Sequence, residues 1–435
     1  MRSSWACPGW SVQEAAETTR GAPEGSLLGT SRTEFPPPSQ SDHSERRLTR
    51  YERRQKSSRW LIQAAREAAG LPPEHGEVLD VETGELRPVR AADPEWVRPA
   101  RPARCRWRVG EVVGVHHGDG TAHWSGVERC ASIWACPVCA AVVRAERAAE
   151  IQQAVERHQK AGGSLVFVTL TMKHSASDQL AVTLNAAIKA WQNLLQNSAW
   201  QKFRHRYGVV GYVRAVEITH GANGWHPHVH ALFFVDKPLS EADTKHWHAA
   251  MFDRWSSYVV KHGGGMPNAL RGVDVRPADA DGTVVAQYLS KVQESEGKRQ
   301  KIGQELARAD MKSGRGRQGR MPFELLDSTT QRDAALWVEY VQATKGRRAI
   351  TWSRGLRERL DLGEERTDEQ VIEDTEQDTA RVLIPAKSYD RAKNRPAVLA
   401  YWLDLAEAKS YRQLANITDG HLIKTKPRPR PQGQT

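Results

Sequence analysis

The feature that most constrains the fold is a pair of β-rich segments separated by a short turn. Residues 209–220 (VVGYVRAVEITH) and 225–235 (WHPHVHALFFV) are joined by GANG. A turn of this length and composition predicts an antiparallel hairpin. Alternate residues of a strand share one face, so His226, His228 and His230 should project together. The chain is therefore expected to fold around a sheet that displays three imidazoles on one face.

The surrounding sequence predicts how this hairpin is extended. Further strands are expected at 164–172 and 270–277, and helices at 177–200, 240–262 and 282–293. The order β-α-β-β-α-β-α predicts an antiparallel sheet with helices on one face. The expected fold class is α+β, with a central antiparallel sheet, flanking helices, a small Cys-rich element and a helical C-terminal part.

Composition changes along the chain predict six segments. They are a disordered N-terminal segment (1–50), a helix with a Pro-rich linker (51–103), a Cys-rich element with a helix (104–162), the core with the sheet (163–296), a basic loop with a helical extension (297–362), and a C-terminal region with a disordered basic tail (363–435).

The charge balance favours a polyanionic partner. Lys and Arg number 63 against 52 acidic residues, and the net charge is +11. Mere solubility is the alternative reading of such a balance. The sequence has no apolar run of the roughly 18–20 residues that span a bilayer, and no secretion signal at its start. Five cysteines are too few for a disulfide scaffold in a chain this long. These observations exclude membrane, secreted and fibrous classes and predict a cytoplasmic protein.

The histidine-bearing face is the predicted catalytic metal site. Imidazoles at this spacing can share one divalent cation. Glu217 on the preceding strand can add an oxygen ligand. Either Glu217 or His226 can be the third ligand, and the sequence does not decide between them. Two imidazoles and a carboxylate leave positions free for a substrate oxygen, as a catalytic metal requires. The alternative is three ordinary histidines in a chain that holds 16.

Tyr288 and Lys291 in AQYLSK are predicted to lie on neighbouring positions of one helix surface. The Lys ammonium would stabilise a phenolate, and a tyrosine can hold a nucleic-acid end covalently and release it later. Ordinary surface packing is the alternative reading of this pair, which gains weight from the histidines upstream.

Four of the five cysteines follow the pattern C-x24-C-x5-C-x2-C. Cys136-Pro-Val-Cys139 has the spacing of a zinc knuckle, and Cys105 and Cys130 would complete a tetrahedral structural zinc site. A redox Cys-x-x-Cys pair and buried free thiols are the alternatives. His116, His117 or His123 can replace one of the ligands.

Basic residues cluster after the proposed nucleophile and predict contacts with DNA phosphates, although a solvated charged loop is the alternative. The predicted DNA-binding residues are Lys298, Arg299, Lys312, Arg315, Arg317, Arg320, Arg347 and Arg348.

The succession of FVTLT, GWHPHVHALFF and AQYLSK resembles the HUH endonucleases, and within them the single-tyrosine replication initiators (Rep proteins) of actinobacterial rolling-circle plasmids. The resemblance covers about residues 105–355 and makes 163–296 the nuclease core. It implies that His228 and His230 bind Mg²⁺ or Mn²⁺, completed by Glu217 or His226. It also implies that Tyr288 cleaves single-stranded DNA at the plasmid's double-strand origin, which leaves a 5′-phosphotyrosine and a 3′-OH.

The resemblance further implies a host helicase and a host polymerase as partners. An HUH relaxase or transposase is the alternative within the same chemistry. Relaxases usually carry the histidine cluster after the tyrosine, the reverse of the order in this chain. A zinc-containing DNA-binding regulator without catalysis is the alternative from another class.

Overall fold

The computed structural model of the protein describes residues 40–72, 77–79, 86–88, 96–118, 120–278, 319–374 and 380–423. Within these ranges, no helix has both the length and the apolar character that crossing a bilayer demands.

The described helices and strands are numbered here in chain order. The N-terminal elements are α1 (Gln40–Ala68), β1 (Glu77–Leu79), β2 (Leu86–Pro88), α2 (Arg101–Arg104), β3 (Val112–Gly118), β4 (Thr121–Ser125) and α3 (Pro137–Lys160). The central elements are β5 (Ser164–Leu170), α4 (Leu180–Leu194), α5 (Ser198–Arg206), β6 (Val209–Gly221), β7 (Gly224–Val235), α6 (Glu241–Lys261) and β8 (Val273–Ala278). The C-terminal elements are a 3₁₀ helix (Pro322–Asp327), α7 (Gln331–Thr344), β9 (Ile350–Trp352), α8 (Leu356–Arg359), α9 (Asp368–Asp374), β10 (Ala380–Pro385), α10 (Ala386–Ala392), α11 (Pro396–Glu407), α12 (Tyr411–Thr418) and β11 (His421–Leu422).

The central sheet has five antiparallel strands in the order β8-β5-β7-β6-β9. The β6–β7 hairpin predicted from the GANG turn lies at its middle. The register pairs Thr169 with both His230 and Asp274, and pairs Glu217 with His228. Paired residues of an antiparallel sheet share a face, so these polar side chains lie on one side of it. The predicted α+β class is confirmed.

Helices cover more of this sheet than its sequence predicts. Helices α4 and α6 pack on one face, where Trp247 contacts the Phe233 ring. The prediction of helices on one face only is wrong, because α3 lies against the other face. There, His158 Nε2 lies 3.0 Å from the Val235 carbonyl oxygen and its ring meets the edge of Phe234. The histidine-bearing end is the more accessible part of this second face.

The predicted helix over 177–200 is two helices, α4 and α5. Asn197 separates them with a positive φ of 84° and an extended ψ of 171°. Its side-chain oxygen accepts a hydrogen bond from the Trp200 N–H at 3.1 Å and so caps α5. Backbone angles of this kind cannot continue a helix, so α4 and α5 are separate.

A second antiparallel sheet, in the order β11-β10-β3-β4, joins two segments that the sequence analysis separates. Strand β3 belongs to the Cys-rich segment 104–162 and β10 to the C-terminal region 363–435, with Val115 paired to Val382. Trp124 on β4 packs against the rings of Tyr389 and Trp402. The Cys-rich element and the C-terminal helices therefore share one core.

Helix α1 begins at Gln40, so the predicted boundary of disorder at residue 50 lies too late in the chain. Its first turns are polar, which is why composition alone suggests disorder. Arg47 forms ion pairs with Asp404 and Glu407 of α11, and these distant carboxylates stabilise the start of the helix. The predicted helix at 282–293 lies outside the described residues.

Candidate functional site

His230 is held from both sides on the polar face of the central sheet. Thr169 Oγ1 of β5 lies 3.1 Å from its Nδ1, and Glu217 Oε2 of β6 lies 2.8 Å from its Nε2. The imidazole is 2% exposed. Strand pairing brings the three residues together, since they come from three adjacent strands. The orientation of this ring is therefore set by hydrogen bonds as well as by packing.

The three histidines of the HPHVH motif form a row of nearly parallel rings. The ring centroids of His226 and His228 are 4.0 Å apart, and those of His228 and His230 are 5.9 Å apart. This confirms that they project on one face. His174, which sequence reasoning missed, extends the row, with its ring 4.3 Å from that of His226. It follows the end of β5 in a loop, where no strand periodicity marks it.

Burial keeps this cluster in the protonation state that a metal site needs. Desolvation, followed by the neighbouring imidazoles, lowers the pKa of His228 to about 3 and that of His226 to about 4. Burial alone would raise the pKa of Glu217, but the hydrogen bond from His230 and the nearby imidazoles bring it down to about 2. At neutral pH the carboxylate is charged, and the lone pairs of His226 and His228 are not blocked by protons.

The imidazole nitrogens and the carboxylate oxygens of this cluster are donor atoms that can bind a divalent cation. Imidazole nitrogen and carboxylate oxygen together suit Mn²⁺, and the oxygen suits Mg²⁺. His226 Nε2 is enclosed and has no hydrogen-bond partner among the described residues. However, no three of these side chains bring ligand atoms within 4.8 Å of one another; among the described residues only the cysteines do so. Glu217 and His230 bond to each other in this arrangement.

Two charged residues on β8, also missed from the sequence, border the same face. Asp274 is paired with Thr169, and Arg276 Nε lies 2.7 Å from Asp274 Oδ2. The alternation Val-Asp-Val-Arg at 273–276 indicates that both charged residues lie on the same face of the strand, and it could have predicted them. They place one negative and one positive group beside the histidine row.

The structure describes only three of the eight predicted DNA-binding residues. Tyr288 and Lys291 lie outside the described residues, as do Lys298, Arg299, Lys312, Arg315 and Arg317. Arg348 is exposed, with Glu365 3.6 Å from its guanidinium. Arg347 is half-buried and donates to the Ala343 carbonyl. Arg320 forms a bidentate pair with Asp333 at 2.7 and 2.9 Å, so its fork is engaged within the protein.

Cys105, Cys130, Cys136 and Cys139 come together as the sequence predicts. All four are buried, and their sulfur atoms lie within 4.8 Å of one another. The Cys105 Sγ atom is 3.7 Å from that of Cys139 and 3.6 Å from that of Cys136. These are not disulfide distances. Four sulfurs about 2.3 Å from a tetrahedral zinc are about 3.8 Å apart. The cluster can therefore hold a metal ion such as zinc.

Local structure places two of the four cysteines next to each other. Cys136 immediately precedes α3, whose first residue is Pro137, and Cys139 lies in its first turn. Hydrogen bonds among the thiols, the largest from Cys130, hold the pKa of Cys105 well below its usual range. Two of the three nearby histidines bond elsewhere: His117 Nδ1 to the Tyr411 hydroxyl, and His116 Nε2 to that of Ser125. The third, His123, stacks on the ring of His116. The four-cysteine set needs no histidine replacement.

Comparison with known proteins identifies relatives of this chain. Residues 125–257, which include the histidine row and three of the clustered cysteines, match the profile of a family described as replication protein. The chain is 34% identical to "Protein rep" of Streptomyces lividans over 314 residues, which cover 58% of this chain and 68% of that protein.

A second relative is more partial. The "Neomycin resistance protein" of Streptomyces cyanogenus is 33% identical over 149 residues, 28% of this chain and 34% of that protein. No solved structure matches the chain. The extent of the match to the Streptomyces lividans protein, together with the family profile, shows that this chain belongs to the Rep family of replication proteins.

Proposed function

We propose that this protein initiates rolling-circle replication of a plasmid by nicking one DNA strand at the origin and transferring it. Membership of the Rep family supports the role in replication. The observation that carries the nicking chemistry is the polar face on which Glu217, His228 and His230 lie on adjacent strands. A rigid sheet is a suitable platform for a metal and a scissile phosphate, since both must be held accurately.

His228 and His230 would hold a Mg²⁺ or Mn²⁺ ion together with Glu217 or His226. The ion would polarise the scissile phosphate and favour the charge that develops on its oxygens. Thr169 fixes the His230 ring by its bond to Nδ1, so Nε2 stays directed toward Glu217. Desolvation of His226 and His228 keeps their donor nitrogens unprotonated at neutral pH.

Tyr288 is the proposed nucleophile. Its phenolic oxygen forms a bond to phosphorus while the bond from phosphorus to the 3′-oxygen breaks. The phenolic proton is lost to solvent, and the leaving 3′-oxygen gains a proton to become the 3′-OH that primes synthesis. Lys291 would stabilise the phenolate, which raises the fraction of tyrosine able to attack. The retained 5′-phosphotyrosine preserves the energy needed to rejoin the strand later.

Basic residues around the core would bind DNA through its phosphates. Arg348 is the described member of the set with the most exposed guanidinium, and Arg347 lies next to it before β9. Contacts of this kind provide affinity that falls with salt and carry no base specificity. The basic residues of 298–317 are proposed to bind phosphates in the same way. Arg320 is proposed to support this surface indirectly, because its guanidinium is paired with Asp333.

The test uses the full-length protein with 3′-labelled single-stranded oligonucleotides that tile both strands of the replicon encoding it, plus Mn²⁺. The label is placed at the 3′ end because the covalent product retains the downstream fragment. One oligonucleotide is expected to give a denaturant-resistant protein–DNA band that EDTA abolishes. Tyr288→Phe and His228→Ala should lose the band, whereas the exposed Tyr401→Phe and His205→Ala should retain it.

Persistence of the band in Tyr288→Phe would contradict the assigned nucleophile. Specific binding of an oligonucleotide with no covalent band in the wild-type protein would favour a non-catalytic zinc-containing regulator. An HUH relaxase or transposase would form the same band. A minimal plasmid carrying the gene and the nicked site distinguishes these, because only an initiator sustains its replication with circular single strands as intermediates.

A further inference from the structure

Arg106 follows Cys105 directly and is held in an uncommon backbone conformation. Its φ is 73°, in the left-handed region that non-glycine residues seldom adopt. Its N–H donates to the Glu128 carbonyl at 2.7 Å, and its carbonyl accepts from the Tyr389 hydroxyl at 2.9 Å. Both sides of the residue are thus fixed, and the side chain is buried at the cost of a strained backbone.

The guanidinium of Arg106 is enclosed without an acidic partner. The residue is 7% exposed. Its Nε and Nη1 have no hydrogen-bond partner, and it makes no ion pair with a carboxylate, within the part of the chain that the structure describes. An arginine cannot lose its charge in a protein. A buried and unpaired cation costs several kcal/mol, so an anion is expected beside it.

The groups around this guanidinium narrow the choice of anion. The thiols of Cys105 and Cys139 and the phenols of Tyr51 and Tyr389 interact with it electrostatically, and Tyr51 and Cys139 line the same cavity as Arg106. Burial raises the pKa of Tyr389, so this phenol stays neutral. A second buried guanidinium, that of Arg54, donates to the Cys105 carbonyl oxygen at 2.8 Å. Two buried guanidinium groups therefore lie close to the cysteine cluster. Its sulfur atoms are the neighbouring groups best able to become negative.

We infer that Arg106 is the buried counter-cation of a tetrathiolate zinc centre formed by Cys105, Cys130, Cys136 and Cys139. Four thiolates around Zn²⁺ carry a net charge of −2, which the guanidinium partly neutralises. Its unpartnered N–H groups would donate to the thiolates of the zinc-bound cluster, which stabilises thiolates against protons competing for the site. Arg106 is thus a positioning residue whose role depends on the proposed zinc, not on DNA cleavage.

The experiment measures zinc retention in the full-length protein. Zinc content is determined by mass spectrometry, and its transfer to a chromogenic chelator is followed over time. Arg106→Gln should release zinc at least about tenfold faster than wild type, the usual scale for loss of a group that supports metal ligands. Arg106→Lys, which keeps the charge, should stay close to wild type. Arg104→Gln is the matched control, because it removes an arginine on the other side of Cys105 that pairs with Glu128.

If Arg106→Gln does not fold, Arg106→Gly removes the same charge in a residue that adopts the left-handed conformation without strain. Slow zinc release from Arg106→Gln or Arg106→Gly, equal to that of Arg104→Gln, would overturn the inference, as would a wild-type protein without zinc. A cavity of about 800 Å³ borders Arg106, so inorganic phosphate is the remaining candidate anion. Unchanged zinc release with loss of phosphate binding in Arg106→Gln would also overturn it. None of these readouts requires nicking.

Discussion

Glu339 on α7 accepts a hydrogen bond from the indole N–H of Trp225 at 2.8 Å, directly before the HPHVH row. Its other carboxylate oxygen accepts from the Leu180 N–H at 2.8 Å. Helix α4 has no side-chain cap of its own at Gln179, so Glu339 supplies one from another helix. A single carboxylate thus links three elements around the histidine-bearing end of the sheet.

Loss of this carboxylate should destabilise the protein. Glu339→Ala leaves the Trp225 and Leu180 donors without their acceptor, so the free energy of unfolding should fall by about 1–3 kcal/mol. The free energy of unfolding should fall by less in Glu339→Gln, because the amide oxygen can still accept one hydrogen bond. Urea unfolding followed by tryptophan fluorescence measures both. Gln342 is exposed on the same helix, so Gln342→Ala should change the free energy of unfolding little. An equal loss of stability in Gln342→Ala would contradict the role assigned to Glu339.

Thr169 should control metal affinity without binding the metal. Thr169→Val removes the hydroxyl beside His230 Nδ1 at nearly constant volume, so the ring loses one of the hydrogen bonds that orient it. We expect the Mn²⁺ concentration for half-maximal nicking to rise about 10–100-fold. Thr169→Ser should restore most of the affinity. Thr171→Val, whose hydroxyl bonds to the Arg271 carbonyl instead, is the control. An unchanged Mn²⁺ requirement in Thr169→Val would refute this role.

His123 should make the protein more sensitive to acid. Burial, followed by the charge of Arg129, lowers its pKa to about 3, below the unfolded value near 6.5. As the pH falls below 6.5, the unfolded chain binds a proton here and the folded chain does not, so stability is lost. Between pH 7.5 and 5.5 this amounts to about 1 kcal/mol.

His123→Gln should therefore lose less stability than wild type over that pH interval. Unfolding free energies from urea titrations at pH 7.5 and 5.5 give the comparison. The exposed His205→Gln should follow the wild-type curve. Parallel losses in wild type and His123→Gln would show that this histidine is not responsible.

Cysteine replacement should separate the zinc cluster from the remaining thiol. Cys136→Ser removes one of the four clustered sulfurs, so zinc content should fall from one per chain toward zero. Structural zinc contributes on the order of 10 kcal/mol to small folded sites, so a large drop in melting temperature is expected. Cys7→Ser should keep both zinc and stability. A Cys136→Ser protein with full zinc content and an unchanged melting temperature would rule out this site.

Much of the candidate site could be predicted because its signals are local. The alternation in HPHVH sets three imidazoles on one face, and a turn of GANG length places β6 beside β7. Together these are sufficient to bring Glu217 opposite His228. The Cys136–Cys139 spacing likewise reflects one helix turn. Strand and helix periods act over a few residues, which is why sequence alone reveals them.

Other features depend on contacts between residues far apart in the chain. His174 and Asp274 join the histidine face only through strand pairing and loop geometry. Arg106 is distinguished by its burial, its backbone conformation and its enclosed N–H groups, none of which its sequence context predicts. The pairing of β3 with β10 and the early start of α1 rest on partners more than two hundred residues away, which no local period encodes. The sequence by itself determined which chemistry each strand carries; the tertiary structure decided which groups meet, because burial and charge pairing act through space.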